Sequence, residues 1–191
     1  LAAEFPPSVQ AREVLTAIGS GERTFNNIGS IAGGLSHGSI MRGLETLVNK
    51  RIVSVDYPLS TNNSKETRYR VTDPYLRFWL SFIGPNMQEV ERGRGDRVLI
   101  KIQNAYGAWR GRAIEPIVRE SIERIPNPLA PNSPVVGAYW TRTNVPEIDI
   151  VIGNRGPVAD SIIEVGSIKW KQQSVFDQHD LNELLAHREK L

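Results

Sequence analysis

Pro126, Pro128, Pro131 and Pro134 stand close together and divide the chain into two kinds of text, helical before them and strand-like after. Proline fixes φ and lacks a backbone donor, so neither a helix nor a central strand runs through such a cluster. Downstream, three runs rich in β-branched and alternating residues, 135–142, 146–153 and 158–170, are separated by glycine-containing turns and predict strands. A last helix is predicted over 177–191. Upstream, helical text runs from 87 to 124, interrupted near Gly93–Gly95 and near Gly107. Helix, three strands and helix is the order of an α/β core.

The first third of the chain has a different grammar. Val9, Val14, Leu15 and Ile18 recur at helical spacing until Gly19 and Gly21. Ile28, Ile31 and Ala32 predict a short second helix closed by Gly33-Gly34. Ser36 is the N-cap expected for a third helix, running through Ile40, Leu44, Leu47 and Val48 to Lys50. Two short strands, 52–57 and 67–71, flank the polar loop Ser60-Thr61-Asn62-Asn63-Ser64-Lys65. Three helices followed by a two-stranded ribbon is the order of a winged helix-turn-helix, with the third helix as recognition helix and the polar loop as wing. The segment 73–86 carries Tyr75, Phe78, Trp79 and Phe82 at helical spacing, too aromatic for a flexible linker. It predicts a short helix packing two domains together. The expected architecture is therefore α/β: a winged helix-turn-helix over 1–72, an aromatic connector over 73–86, and a restriction-endonuclease-like domain over 87–191 that is incomplete at its C-terminus.

Composition narrows the function classes. With no cysteine, neither a disulfide framework nor a thiolate metal site is available. No apolar run is long enough to span a bilayer, so no membrane partner is expected. The start, Leu1-Ala2-Ala3-Glu4-Phe5-Pro6-Pro7, lacks the pattern of a signal peptide, and a cytoplasmic setting is the expectation. Both ends read as cuts in a longer protein. The 23 cations against 21 anions leave a net charge of +2, so only a local patch would attract nucleic acid. That patch is predicted on the third helix and wing, at Ser36, His37, Ser39, Arg42, Lys50, Arg51, Lys65 and Arg68, diluted by Glu45. Arg92, Arg94, Arg97, Arg110 and Arg112 are interleaved with Glu89, Glu91 and Asp96 and read as a solvated face. His37, His179 and His187 read as surface histidines; the last two are two helical turns apart, too far for one metal.

Chemistry concentrates in the strands. In the second strand, side chains alternate, so Glu147 and Asp149 are expected on one face and Ile148, Ile150 and Ile152 on the other. Ser167 and Lys169 share a face of the third. Neighbouring pairing would bring Asp149 and Lys169 together, the outline of a PD-(D/E)xK nuclease, in which carboxylates hold a divalent cation and the lysine assists a water or the phosphate.

The string Tyr69-Arg70-Val71-Thr72-Asp73-Pro74-Tyr75-Leu76-Arg77-Phe78-Trp79 resembles the junction between the two C-terminal domains of a family of archaeal and bacterial AAA+-related ATPases. Gly111-Arg112-Ala113-Ile114-Glu115, Tyr139-Trp140, Glu147-Ile148-Asp149-Ile150 and Gly166-Ser167-Ile168-Lys169-Trp170 resemble that family's nuclease-like domain, in order. The resemblance implies an N-terminal P-loop ATPase, a winged helix and a restriction-endonuclease-like fold. It implies a catalytic set of Glu115, Asp149 and Lys169, with Asp149 and Glu115 as metal ligands. The family's second carboxylate is replaced by Ser167, which brings no charge to a hard cation. Glu147 and Glu164 are the two candidate substitutes, Glu164 only by way of a β-bulge. No Gly-x-x-x-x-Gly-Lys-Ser/Thr occurs, so ATP is expected only in a missing N-terminal domain.

The expected function is nucleic-acid binding, with DNA as partner, by the C-terminal region of an ATPase carrying a degenerate nuclease site. No cofactor is required; Mg²⁺ or Mn²⁺ enters only if that site is active. The alternatives are an interaction or regulatory module docking on its own ATPase domain or another protein, and an active metal-dependent DNA nuclease.

Overall fold

The computed structural model describes residues 10–21, 23–126, 134–170 and 175–191. Val9, Pro128, Pro131 and the 1–7 start, all used above, lie outside the described residues. The chain is a mixed α/β protein, with two small antiparallel sheets among the described residues, and divides into two compact units. The first comprises residues up to Asp56 together with Thr67–Tyr106; the second comprises Tyr57–Glu66 and the residues from Gly107 onward.

In the first unit, α1 (Ala11–Gly19), α2 (Phe25–Ile31) and α3 (His37–Asn49) precede the antiparallel pair β1 (Val53–Asp56) and β2 (Arg68–Val71). Thr24 and Ser36 cap α2 and α3 by accepting the amide hydrogens of Asn27 and Ser39, satisfying donors that a helix start otherwise leaves unpaired. Val14, Leu15 and Ile18 of α1 meet Ile40, Leu44 and Leu47 of α3, each set at the spacing that lines one helical face, and Val53 and Val71 close the core.

The aromatic connector belongs to this core. Asp73 caps α4 (Pro74–Phe78) by accepting from the Leu76 amide at 2.6 Å, with Pro74 in the first turn where its missing donor costs nothing. A π-helical turn, Trp79–Ile83, then widens the helix and sets Leu80 against α1. The approach is close enough that a Cβ on Gly19 would collide with the Leu80 side chain. The Ser81 hydroxyl donates to the Gly19 carbonyl at 2.8 Å. Leu76 and Trp79 pack on the same core, whereas Tyr75 is exposed.

After α5 (Met87–Glu91) the helical text breaks at Gly93, whose φ of +73° suits glycine. The second expected interruption, at Gly107, is absent: α6 (Gly95–Arg124) runs through it and carries Pro116 inside. A single glycine costs a helix only about 1 kcal/mol, which does not end one that is thirty residues long. The expected boundary at residue 87 is therefore not where the units divide; the division falls within α6.

The second unit holds a sheet of order β3-β4-β5, antiparallel throughout: β3 (Val135–Trp140), β4 (Glu147–Gly153) and β5 (Ile162–Gly166). Leu59, Ile148, Val151 and Ala159 form its buried centre. The final helix, α7 (Gln178–Arg188), begins at a reciprocal cap in which Asp177 and Asp180 each accept the other's backbone amide hydrogen. The strands are shorter than expected, and Ser167–Trp170 lie beyond the end of β5. No helix among the described residues is long and apolar enough to cross a membrane.

Candidate functional site

The expected alternation along β4 does not hold. From the Gly137–Val151 pair to the Tyr139–Ile148 pair, β3 advances two residues and β4 three, so an extra residue bulges from β4 at Asp149–Ile150. The bulge shifts the periodicity by one. Ile148 and Val151 are both buried, while Ile150, expected beside Ile148 in the core, is only half-buried. Ile152 is buried as expected. A strand placed by period two alone carries no sign of such an insertion.

The bulge aims Asp149 at the end of β5. Its Oδ2 accepts the Ser167 hydroxyl at 3.0 Å and the Ile168 amide at 2.8 Å. The Ile168 amide is thus taken by a carboxylate rather than by a ladder carbonyl, beyond the point where β5 stops. From α6, Arg119 Nη1 donates to the Asp149 backbone carbonyl at 2.8 Å and lies 3.8 Å from Glu115 Oε2, one turn earlier. Glu115, Asp149 and Ser167 are therefore brought into one cluster, and Arg119, which sequence reasoning passed over, is its centre. The signal was present as an i, i+4 Glu–Arg pair on a helix.

Lys169 follows Ile168 beyond the end of β5, and its Nζ pairs with Glu183 Oε2 of α7 at 3.8 Å. Trp170 turns its ring under the Arg110 guanidinium, 4.1 Å from the ring centroid. The register sets Glu164 opposite Ile152, and Glu147 stands opposite Trp140 with its carbonyl 3.2 Å from His187 Nδ1.

This donor set does not suit Mg²⁺ or Mn²⁺. A hard dication needs several anionic or neutral oxygens turned toward it, whereas one Asp149 oxygen already serves two donors and a guanidinium stands between Glu115 and the Asp149 carbonyl. No group of three or more His, Asp or Glu side chains fit to hold a metal occurs among the described residues.

The predicted nucleic-acid residues divide. On α3, Ser36, His37 and Arg42 are exposed and Ser39 half-buried, opposite the face that buries Ile40, Leu44 and Leu47. Arg42 Nη2 donates to Ser39 Oγ at 3.4 Å, and the His37 ring lies 4.6 Å from that of Phe25. Lys50 and Arg51 are exposed at the end of α3. There the Arg51 amide donates to the Val48 carbonyl and the Ile52 amide to the Leu47 carbonyl, the paired bonds of a Schellman end. Arg51 holds the left-handed position of that motif, φ +57°, where glycine is the usual residue.

The wing residues fare differently. Arg68 lies within β2 and is buried, so it does not present a surface cation as expected. Lys65 is exposed, but its loop, Tyr57–Glu66, belongs to the second unit instead of standing free. The Leu59 amide donates to the Ala138 carbonyl at 2.8 Å, the Ala159 amide donates to the Ser60 carbonyl at 2.9 Å, and Trp140 Nε1 donates to the Glu66 carbonyl at 3.1 Å. Leu59 is the apolar anchor, with 2% exposure beside Ile148 and Val151. A single leucine inside polar text gave no periodicity to read.

A family model described as archaeal and bacterial proteins of unknown function (DUF234) matches residues 79–182. An uncharacterized protein of Methanocaldococcus jannaschii is 25% identical over 191 residues, covering 98% of this chain and 42% of that protein. The chain thus spans less than half the length of this relative. No solved structure matches. The matched stretch takes in more than half of the chain, from the π-helical turn through the three-stranded sheet to the start of α7, and on that ground the protein belongs to the DUF234 family of archaeal and bacterial proteins of unknown function.

Proposed function

We propose that this chain is the nucleic-acid-binding C-terminal region of an ATPase, a winged helix-turn-helix joined to a restriction-endonuclease-like domain whose nuclease site is degenerate. The observation that carries the binding half is Arg51. A non-glycine residue in the left-handed region costs about 1–2 kcal/mol, and the side chain kept there is an exposed cation at the end of the outward face of α3. Strain retained at a position that glycine would relieve is a mark of use. With Arg42 and Lys50 it supplies the clustered positive charge that phosphates require. The degenerate-site half is supported by Ser167, whose hydroxyl donates to Asp149 where the resembled family carries a carboxylate, and by the pairing of Lys169 with Glu183. ATP belongs to the remainder of a longer protein.

The reading is tested by gel-shift with duplex and single-stranded DNA at low and moderate salt. Weak, largely sequence-independent binding is expected, with a dissociation constant on the order of 10⁻⁴ to 10⁻⁶ M. Absence of any shift at low salt contradicts it.

A second reading, docking on the ATPase domain or on another protein, is favoured by α6, which leaves Leu99, Ile100, Tyr106 and Ile117 exposed. A DNA-silent chain that binds its ATPase domain, with loss of binding on Ile117→Glu, supports that reading instead.

A further inference from the structure

We propose that the outer face of α7 is a self-association surface, on which a second copy of this chain seats its own α7 in the antiparallel direction. The helix carries two apolar stripes. Leu184 packs on the core of the second unit, joined there by Leu191 just past the helix end. On the same side Asp180 is buried and His187 Nδ1 meets the Glu147 carbonyl. Positions 180, 184, 187 and 191 have the spacing that lines one helical face, and that face accounts for the packing of α7 on β4 and β5. Leu181 and Leu185, four residues apart and so one above the other, lie on a different face and are 38% and 39% exposed. A helix seated on one sheet needs a single apolar stripe, and these two leucines are not among the residues of that core.

Charge selects the occupant, because α7 is complementary to its own reversal. Its acids stand at the start, where Asp177 is the N-cap, and its bases at the end, where Arg188 closes the last turn. Asp177 and Arg188 are roughly three turns apart and therefore share one edge of the Leu181–Leu185 face. The two leucines are equally far from Glu183, the middle residue of the helix. A two-fold axis passing beside residue 183 thus sets Leu181 of each copy against Leu185 of the other, and Asp177 of each beside Arg188 of the other. Parallel pairing would instead bring aspartate to aspartate and arginine to arginine, with the helix dipoles aligned. The contact is small, since a helix of eleven residues is only about 16 Å long. The dimer is accordingly a weak, reversible one.

The test is sedimentation equilibrium of the full chain over rising protein concentration with no DNA present, so that failure to bind DNA leaves the outcome untouched. The parent is expected to pass from monomer to dimer with a dissociation constant on the order of 10⁻⁵ to 10⁻⁴ M. Leu185→Glu sets a charge in the apolar centre and is expected to weaken the dimer by about tenfold or more. Its Tm at low protein concentration should match the parent's, since Leu185 stands outside the core. Arg188→Glu, which opposes Asp177 of the other copy with a like charge, is expected to weaken the dimer at low salt. The chain has no cysteine, so disulfide formation reads the direction of pairing. Leu181→Cys mixed with Leu185→Cys is expected to crosslink under mild oxidation, and neither variant alone. A parent that stays monomeric throughout leaves this face to another protein and overturns the proposal. So does a dimer that both Leu181→Glu and Leu185→Glu leave intact, or a disulfide that forms within one variant alone in preference to the mixture.

Discussion

The Ser167 hydroxyl donates to Asp149 Oδ2 across 3.0 Å, and the neighbouring Ile168 amide donates to the same oxygen. One carboxylate thereby holds the chain in place after β5 has ended, at the position where a nuclease of the resembled kind would carry a second acid.

Replacing Ser167 should therefore destabilise the protein by two different routes. Ser167→Ala removes one charge-assisted bond and is expected to cost about 1–2 kcal/mol in urea unfolding. Ser167→Glu, which sets like charges side by side, is expected to cost more without metal and to recover part of the loss in Mn²⁺. A Ser167→Glu protein as stable as the parent in metal-free buffer would contradict the contact.

Metal-dependent cleavage is expected to be absent. In supercoiled-plasmid nicking under Mn²⁺, the parent and Asp149→Ala should be indistinguishable, because no firmly held cation lowers the pKa of a water or meets the phosphate charge. Robust nicking by the parent that disappears in Asp149→Ala would make the site an active one.

Leu59 anchors the loop between β1 and β2 in the second core, and Gly137 is the surface it rests on: a Cβ there would lie 2.9 Å from Leu59 Cβ. Leu59→Ala is expected to cost about 2–5 kcal/mol, and Gly137→Ala about 1–3 kcal/mol through overpacking. Hydrogen exchange should show the Leu59 and Ala159 amides losing protection in both, since each is bonded through this loop. Unchanged protection in either variant would mean the loop is held by something other than this anchor.

Sequence reading recovered what local pattern encodes and missed what pairing decides. The caps at Ser36 and Asp73 and the order of helices and strands follow from residue type and periodicity. The bulge at Asp149–Ile150 depends on which β3 residue each β4 residue meets, and one extra residue reverses every later face. Leu59 and Arg119 are distant in sequence from the partners that define them, Ala138 and Asp149. The third strand was carried four residues beyond Gly166, where alternation had ceased to apply.

At the end of α3, stability and binding should part company. Arg51→Gly relieves the left-handed strain and is expected to stabilise the protein by about 1 kcal/mol in denaturant unfolding, while weakening any phosphate contact. Loss of stability would mean that the arginine side chain supports the fold.

The central claim is that α3 meets the phosphates of DNA, and the salt dependence of binding tests it most directly. Fluorescence anisotropy on a duplex, titrated across a range of NaCl, gives the slope of log K against log salt for the parent and for Arg42→Ala/Arg51→Gly. Each lost phosphate contact should reduce that slope by about 0.9, so the double variant is expected to bind more weakly at low salt with a slope flatter by roughly two. A double variant with the parent's affinity and the parent's slope would remove α3 from the interface.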